Sequence, residues 1–290
     1  MSPKCPFCKS KNKKLKIRRN EFSLFICKNC ALGYIDPMPQ KSQIQDLYSK
    51  DYFQNSQEIV HGYINYSQME KVLAAEAVKR LRFISNFTHK KTLLDVGCGL
   101  GIFLKIAKSS EYEVAGNDIS SYAKNYVSKK NKIDFYLGPI DTLTLPKNTF
   151  DIVTAWDVLE HIPQVNLAFK SIHRSLKKGG YLILTTPDIN SWDAKMMRSF
   201  WYGYQKIPEH LLFFSTDSIK NVLEKNGFKV IKIRGWGFER NLQFILTKAS
   251  IYIPHIDKLL LPILKILNIE NKSIYLPLTD MIVVAQKNEL

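Results

Sequence analysis

The run Leu93 to Leu104, Leu-Leu-Asp-Val-Gly-Cys-Gly-Leu-Gly-Ile-Phe-Leu, constrains this chain more than any other stretch, because it is apolar, breaks into alternate glycines, then resumes apolar. Such a run reads as a buried strand, a tight loop and a helix start. Gly97, Gly99 and Gly101 permit the dihedrals of a sharp strand-to-helix turn and leave main-chain N–H groups open to a ligand. The spacing is Gly-x-Gly-x-Gly, not the Gly-x-Gly-x-x-Gly of a dinucleotide site. Asp95, two residues before the first glycine, suits a cationic ligand better than a pyrophosphate. Glu113 to Ile119 reads as a second strand ending in Asp118, 23 residues after Asp95, where a carboxylate can accept both ribose hydroxyls of a nucleoside.

Further strands are expected at Ile133 to Leu137, Phe150 to Trp156, Leu176 to Leu184, Phe228 to Ile233 and, antiparallel at the end, Asp280 to Gln286. Helical spacing of Met69, Val72, Leu73, Ala77, Leu81 and Ile84 predicts a helix over Ser67 to Phe87, ahead of the first of these strands. Asp157 to Ile162 is expected to open the helix after Trp156, with Glu160 an exposed first-turn acid. Asp217 to Gly227 reads as a capped helix. Alternation of this kind predicts an α/β fold: a doubly wound, mostly parallel, seven-stranded sheet whose ligands sit beyond the carboxyl ends of the strands.

On Asp95-Val-Gly-Cys-Gly-Leu-Gly101, the acid at Asp118 and the segment Phe150-Asp-Ile-Val-Thr-Ala-Trp-Asp-Val-Leu-Glu-His-Ile162, the chain resembles the class I S-adenosylmethionine-dependent methyltransferases. The resemblance implies S-adenosylmethionine as cofactor, held by Asp95, Gly97, Gly99, Gly101, Asp118 and Ile119 and flanked by Trp156 and Asp157. Where the family usually places an acid for the adenine amino group this chain has Pro139, so Asp141 or a backbone group would substitute.

Cys5-Pro-Phe-Cys8 and Cys27-Lys-Asn-Cys30 are two Cys-x2-Cys knuckles separated by 18 residues. Four thiolates at that spacing can close a tetrahedron around a structural zinc, with paired disulfides or a redox dithiol as the competing reading. A closed four-sulfur site leaves no coordination position for chemistry, so its work is folding a segment too small to bury its own core. Cys98, inside the glycine loop, reads as a small packing residue.

The net charge of +16 invites a nucleic-acid partner, and eight of the first twenty residues are Lys or Arg. Yet 34 of the 42 basic residues are lysines spread through most segments, which reads as composition bias before it reads as a binding surface. No apolar leader opens the chain, so the expected location is the cytoplasm.

A ribbon, the Pro37-Met-Pro39 exit, Tyr48-Ser-Lys-Asp-Tyr-Phe53, and the later Pro208-Glu-His-Leu-x2-Phe-Ser215 together resemble a branch of methyltransferases that modify sugars and surface glycans. There the histidine faces the acceptor. That resemblance makes His210 the first candidate for general base, with Glu209 orienting its ring and His161 the second candidate, since an acceptor hydroxyl is a poor nucleophile until it is deprotonated. Tyr52 and Phe53 are candidates to cover the methionine end of the cofactor or to pack ribbon on domain.

The expected organisation is a zinc ribbon over 1–40, a connecting helical segment over 41–90 and a catalytic domain over 91–290, with acceptor-side insertions at 187–215 and 249–275. Residues 251–269 are rich in Ile and Leu but are broken by Pro254 and Pro262 and carry charges. They exclude a good transmembrane span and leave core or lid packing, a dimer contact, or contact with a membrane surface. The expected function is O-methylation of a sugar, nucleotide-sugar or lipid-linked glycan, with carbon methylation of a nucleotide-linked sugar as its neighbour. The rivals are an RNA methyltransferase guided by the basic ribbon and a non-enzymatic nucleic-acid adaptor with a vestigial cofactor fold.

Overall fold

The computed structural model describes residues 4–40, 66–250 and 253–288. Tyr52 and Phe53 lie outside the described residues. The ribbon contributes strands β1 (Lys13–Arg19), β2 (Phe22–Cys27) and β3 (Gly33–Asp36). Helix α1 (Tyr66–Ser85) leads to β4 (Thr92–Val96), α2 (Ile102–Ser109), β5 (Glu113–Asp118) and β6 (Asp134–Leu137). Next come β7 (Phe150–Trp156), α3 (Val165–Ser175), β8 (Leu176–Pro187), the short β9 (Leu212–Phe213), α4 (Thr216–Lys225) and β10 (Phe228–Asn241). Two helices, α5 (Leu242–Ala249) and α6 (Ile256–Ile266), precede the final strand β11 (Ser273–Lys287).

The large sheet runs β10-β11-β8-β7-β4-β5-β6, with β11 antiparallel between β8 and β10 and the five strands from β8 to β6 parallel to one another. The expected seven-stranded, mostly parallel sheet is therefore present. Its faces follow from the period of two along each strand. Leu93, Ile152, Ile183 and Ile282 bury one face against Ala77, Leu81 and Ile84 of α1 and Phe103 and Leu104 of α2. Leu94, Val153, Leu182 and Val283 bury the other against Ala168, Phe169 and Ile172 of α3 and Ile219 and Val222 of α4. Helix α4 begins where expected, at a reciprocal Ser215–Ser218 capping box.

One expectation fails locally. Asp157 does not open a helix: its φ is +57°, Leu159–His161 forms a single tight turn, and α3 starts only at Val165. Pro163 contributes to this delay, since it disfavours helical geometry in the residue before it. Glu160 is consequently not an exposed first-turn acid. It is 1% exposed.

The ribbon is not a loose appendage. Strand β3 pairs antiparallel with β9, a strand of the catalytic part, through Gly33↔Phe213 and Tyr34↔Leu212, and the two form a four-stranded sheet with β1 and β2. The amide of Ile35 also donates to the Leu211 carbonyl at 3.1 Å, Asn166 Nδ2 to the Phe7 carbonyl at 3.2 Å, and Arg19 Nη2 to Gln205 Oε1 at 2.5 Å. Cys5, Leu24, Leu32, Tyr34 and Ile35 share one buried cluster with Leu211, Leu212 and Phe214. Of the aromatic segment between β8 and β9, Trp201 and Tyr204 are folded inward, Trp201 donating its indole N–H to Asp193 Oδ2 at 2.9 Å, while Trp192, Phe200 and Tyr202 are exposed.

The seam requires a residue without a side chain at position 33, where a Cβ would lie 2.8 Å from Phe213 Cβ and 3.0 Å from its carbonyl oxygen. Gly33→Val is expected to part β3 from β9 and destabilise the fold by about 1–3 kcal/mol, the usual range for overpacking. A lowered midpoint in thermal or urea unfolding checks this; an unchanged midpoint contradicts it.

Candidate active site

The glycine loop leaves β4 at the carboxyl edge of the sheet, with Gly97, Gly99 and Gly101 at φ of +69°, +51° and +73°. At Gly97 a Cβ would fall 2.4 Å from Val158 Cγ2, so the absence of a side chain there is a matter of space as well as of dihedral. Cys98 is tucked inward, near where a Cβ on Gly116 of β5 would stand (2.8 Å from its Sγ), and burial holds its thiol protonated. It packs, as expected, and is no nucleophile.

Asp118 ends β5 and clasps this loop. Its Oδ2 accepts the Gly99 N–H at 3.0 Å and its Oδ1 the Ser120 N–H at 2.9 Å. Each carboxylate oxygen retains a further lone pair. Burial raises the Asp118 pKa while these amide bonds lower it. Ile119, half-buried, follows directly. Asn117, one residue earlier, donates its amide to the carbonyls of Tyr136 and Gly138 and so fixes the turn that carries half-buried Asp141.

Asp95 is 2% exposed and accepts the Thr154 hydroxyl at 2.6 Å, across its register partner on β7. Burial pushes its pKa from 3.8 to about 7, against the opposing pull of the Thr154 bond and of Arg80. A buried carboxyl poised in this way gains from a cation placed beside it.

On the other side of the loop, Trp156 stacks edge-on with Phe103 at 5.4 Å and lies under the Arg80 guanidinium at 4.5 Å. Among the described residues its buried indole N–H has no acceptor. Asp157 is locked by Thr185, whose hydroxyl donates to Oδ1 at 2.7 Å, and Arg80 Nη2 stands 3.8 Å from Oδ2. Arg80 comes from α1, ahead of the first strand, and no spacing rule in the sequence signals its reach to this edge.

Beyond Asp157 the chain brings both candidate histidines together. The His161 and His210 rings meet edge to face with centroids 4.8 Å apart. His161 Nδ1 is 2.9 Å from the Glu209 carbonyl, and since a carbonyl only accepts, Nδ1 carries the proton. His210 is 6% exposed, and burial lowers its pKa well below 6.5, with His161 and Lys206 adding to the effect. The Glu209 carboxylate lies 3.3 Å from Lys206 Nζ. The carboxylate gathered with the two rings is that of Glu160, which sequence reasoning left on the surface. Glu160 Oε2 accepts the Thr186 hydroxyl at 3.0 Å, and burial with nearby Asp157 raises its pKa well above the usual range.

At the ribbon the four knuckle cysteines converge, with Cys5 Sγ 3.6 Å from Cys30 Sγ, Cys8 Sγ 3.5 Å from Cys27 Sγ, and all four sulfurs within 4.8 Å of one another. Tetrahedral zinc with Zn–S bonds of about 2.3 Å places its sulfurs about 3.8 Å apart, so the donor set fits that ion. The cysteines are free thiols, not disulfides.

Comparisons with known proteins agree with this geometry. Residues 67–233 match the model of a family described as a methyltransferase domain. The chain is 25% identical over 197 residues to a ubiquinone biosynthesis O-methyltransferase of Idiomarina loihiensis, covering 63% of this chain and 81% of that protein. It is 32% identical over 146 residues to a demethylmenaquinone methyltransferase of Bacillus licheniformis, covering 45% of this chain and 63% of that one. Among solved structures it resembles a SAM-dependent methyltransferase from Archaeoglobus fulgidus, with a TM-score of 0.51 and 19% identity over 75% of this chain and 94% of that one. This last likeness is one of fold.

Two outcomes follow. Asp118→Ala removes the clasp and the carboxylate expected to accept the ribose, so calorimetry is expected to show donor affinity reduced by about 10- to 100-fold, equivalent to about 1–3 kcal/mol; equal affinity contradicts the expectation. The folded protein holds a proton on Asp95 that the unfolded chain releases near pH 3.8, so this residue contributes a loss of stability as pH rises from about 4 to about 7. Thermal melts of Asp95→Asn should therefore gain on the parent protein as pH rises through that window. A constant difference between the two would contradict it.

Proposed function

Since this chain belongs to the methyltransferase-domain family and is an S-adenosylmethionine-dependent methyltransferase, we propose that it methylates a hydroxyl group, foremost that of a sugar in a surface glycan or its nucleotide- or lipid-linked precursor. The observation that carries the oxygen chemistry is the contact of half-buried His161 with buried His210, beside Asp157 at the carboxyl edge of the sheet. The sugar class rests on the resemblance of the ribbon, the Pro-x-Pro exit and the Pro-Glu-His segment to glycan-modifying methyltransferases.

When bound, S-adenosylmethionine supplies a methyl group on a sulfonium whose departure leaves a neutral thioether. The chain's own residues do the rest. Gly97 to Gly101 present backbone to the nucleoside, Asp118 accepts its ribose hydroxyls, and Ile119 and the Asp141 turn border the base. Asp95, Trp156 and Asp157 line the cationic methionine end. His210, neutral because it is buried, takes the acceptor proton at a ring nitrogen as the new carbon–oxygen bond forms. His161, its tautomer set by the Glu209 carbonyl, holds the His210 ring in place. Lys206 and Glu209 pair beside them. Because the sulfonium is already activated, alignment supplies most of the acceleration.

Structural zinc in the four-cysteine cluster would hold β3 against β9 and, through Leu211 and Leu212, steady His210. In this reading the ribbon is a brace for the acceptor loop. A nucleic-acid role is weakened by the same pairing, because the ribbon is tied into the catalytic part and is not a free module.

Helix α6 bears on the acceptor. Leu259, Ile263, Ile266 and Leu267 lie along one face at helical spacing and are 69%, 48%, 79% and 59% exposed, with Lys258 and Lys265 beside them. An outward apolar stripe edged by lysines suits the surface of an anionic bilayer, and no helix among the described residues is long and apolar enough to cross one. That favours a lipid-linked glycan. It also gives weight to a second reading, an apolar acceptor of ubiquinone or menaquinone synthesis, after the names of two relatives.

Transfer of labelled methyl into lipid-linked glycans, nucleotide sugars, demethylmenaquinone and bulk RNA separates these acceptors. The proposal expects a glycan to be labelled. His210→Ala should then lower kcat by about 10²- to 10⁴-fold, the usual worth of a positioned base; unchanged turnover would remove His210 from the mechanism.

A further inference from the structure

We infer that Glu160, His161 and His210 form a divalent transition-metal site on the acceptor side, distinct from the four-cysteine cluster. The inference rests on the acceptor-side reading above and changes what the two imidazoles hold there.

Three observations support it. One donor atom from each of the three side chains lies within 4.8 Å of the others, a carboxylate with two imidazoles drawn from two separate segments of chain. Two of the three are buried polar groups with an empty valence: Glu160, 99% buried, leaves Oε1 without a hydrogen-bond partner, and His210, 94% buried, leaves Nδ1 without one. Groups so deep in a protein ordinarily pair, and unpartnered polar atoms on two side chains whose donor atoms converge point to a cation as the missing partner. The outer contacts are also those a metal site needs. His161 donates its Nδ1–H to the Glu209 carbonyl, leaving Nε2 as the lone-pair nitrogen, and Thr186 donates to the other oxygen of Glu160.

The donor set selects the ion. Two imidazoles and one carboxylate suit Zn²⁺, Fe²⁺ or Mn²⁺ rather than Ca²⁺ or Mg²⁺. Bonds of about 2.1 Å put adjacent donors about 3–3.5 Å apart, inside the 4.8 Å limit within which these donors lie. Three protein ligands leave positions open, and an acceptor hydroxyl placed there would be more acidic, easing loss of its proton. In this arrangement the acceptor oxygen binds the ion as its alkoxide and its proton is lost to solvent water, with His210 holding the ion instead of taking the proton.

The test is metal content, read without donor or acceptor. The whole protein, equilibrated with Zn²⁺ and freed of excess by gel filtration, is assayed by elemental analysis beside Glu160→Gln, His210→Ala and, as control, Cys27→Ser. The inference expects Glu160→Gln and His210→Ala each to hold one equivalent fewer than the parent, and Cys27→Ser to lose a different equivalent, so that the double variant Glu160→Gln with Cys27→Ser loses both. Calorimetry with S-adenosylmethionine on the same samples reports the donor site separately, and should be unchanged in Glu160→Gln. Equal metal in the parent and in a folded Glu160→Gln overturns the site. Should Glu160→Gln fail to fold, the parent's own content decides: no more zinc than the ribbon accounts for overturns it.

Discussion

The bond from the Gly99 amide to the Asp118 carboxylate is the contact on which the rest of this molecule depends. It joins the end of one parallel strand to the loop leaving its neighbour, and it can form only because three glycines turn the backbone through left-handed dihedrals at that point. The clasp keeps the amide edge of the loop and the carboxylate at a fixed separation. Neither strand alone offers a nucleoside both a bare backbone and an acid; the pair does, at the rim where a doubly wound sheet leaves a crevice.

From that rim the site extends in two directions. Toward α1, Arg80 lies over Trp156 and beside Asp157, so a helix preceding the sheet closes one wall. Toward the ribbon, the segment after Trp156 refuses to become helix and turns Glu160 and His161 inward to meet His210. The carbonyl of Glu160 accepts the Leu211 amide at 2.9 Å, and the residues that follow pair with β3. The strand that follows the four-cysteine cluster is thus joined by backbone hydrogen bonds to the segment that carries His210 and, through it, to Glu160.

Much of this was legible in the sequence, and the reasons are local. The glycine spacing, the acid 23 residues after Asp95 and the apolar runs each obey short-range rules, and the sheet assembled from them as expected. Cys5, Cys8, Cys27 and Cys30 announced their convergence through spacing alone. What was hidden depends on contacts distant in sequence. Nothing near Glu160 marks it as buried, because its environment is Thr186 and the His210 loop, 26 and 50 residues away. Nothing near Arg80 in the sequence marks its reach from α1 to Trp156 and Asp157. The join between β3 and β9 links residues about 180 apart through a two-residue strand, too short for any periodicity to reveal. The pairing of β10 with β11 also runs well past the expected strand ends, carrying α5 and α6 beyond the sheet's edge.

The central claim is that this clasped loop seats an adenosyl sulfonium, and a crystal structure of the full chain with S-adenosylhomocysteine tests it most directly. The account predicts ligand density along Gly97 to Gly101 with the ribose hydroxyls within hydrogen-bonding distance of Asp118. Density elsewhere on the molecule, or an empty loop at saturating ligand, would contradict it.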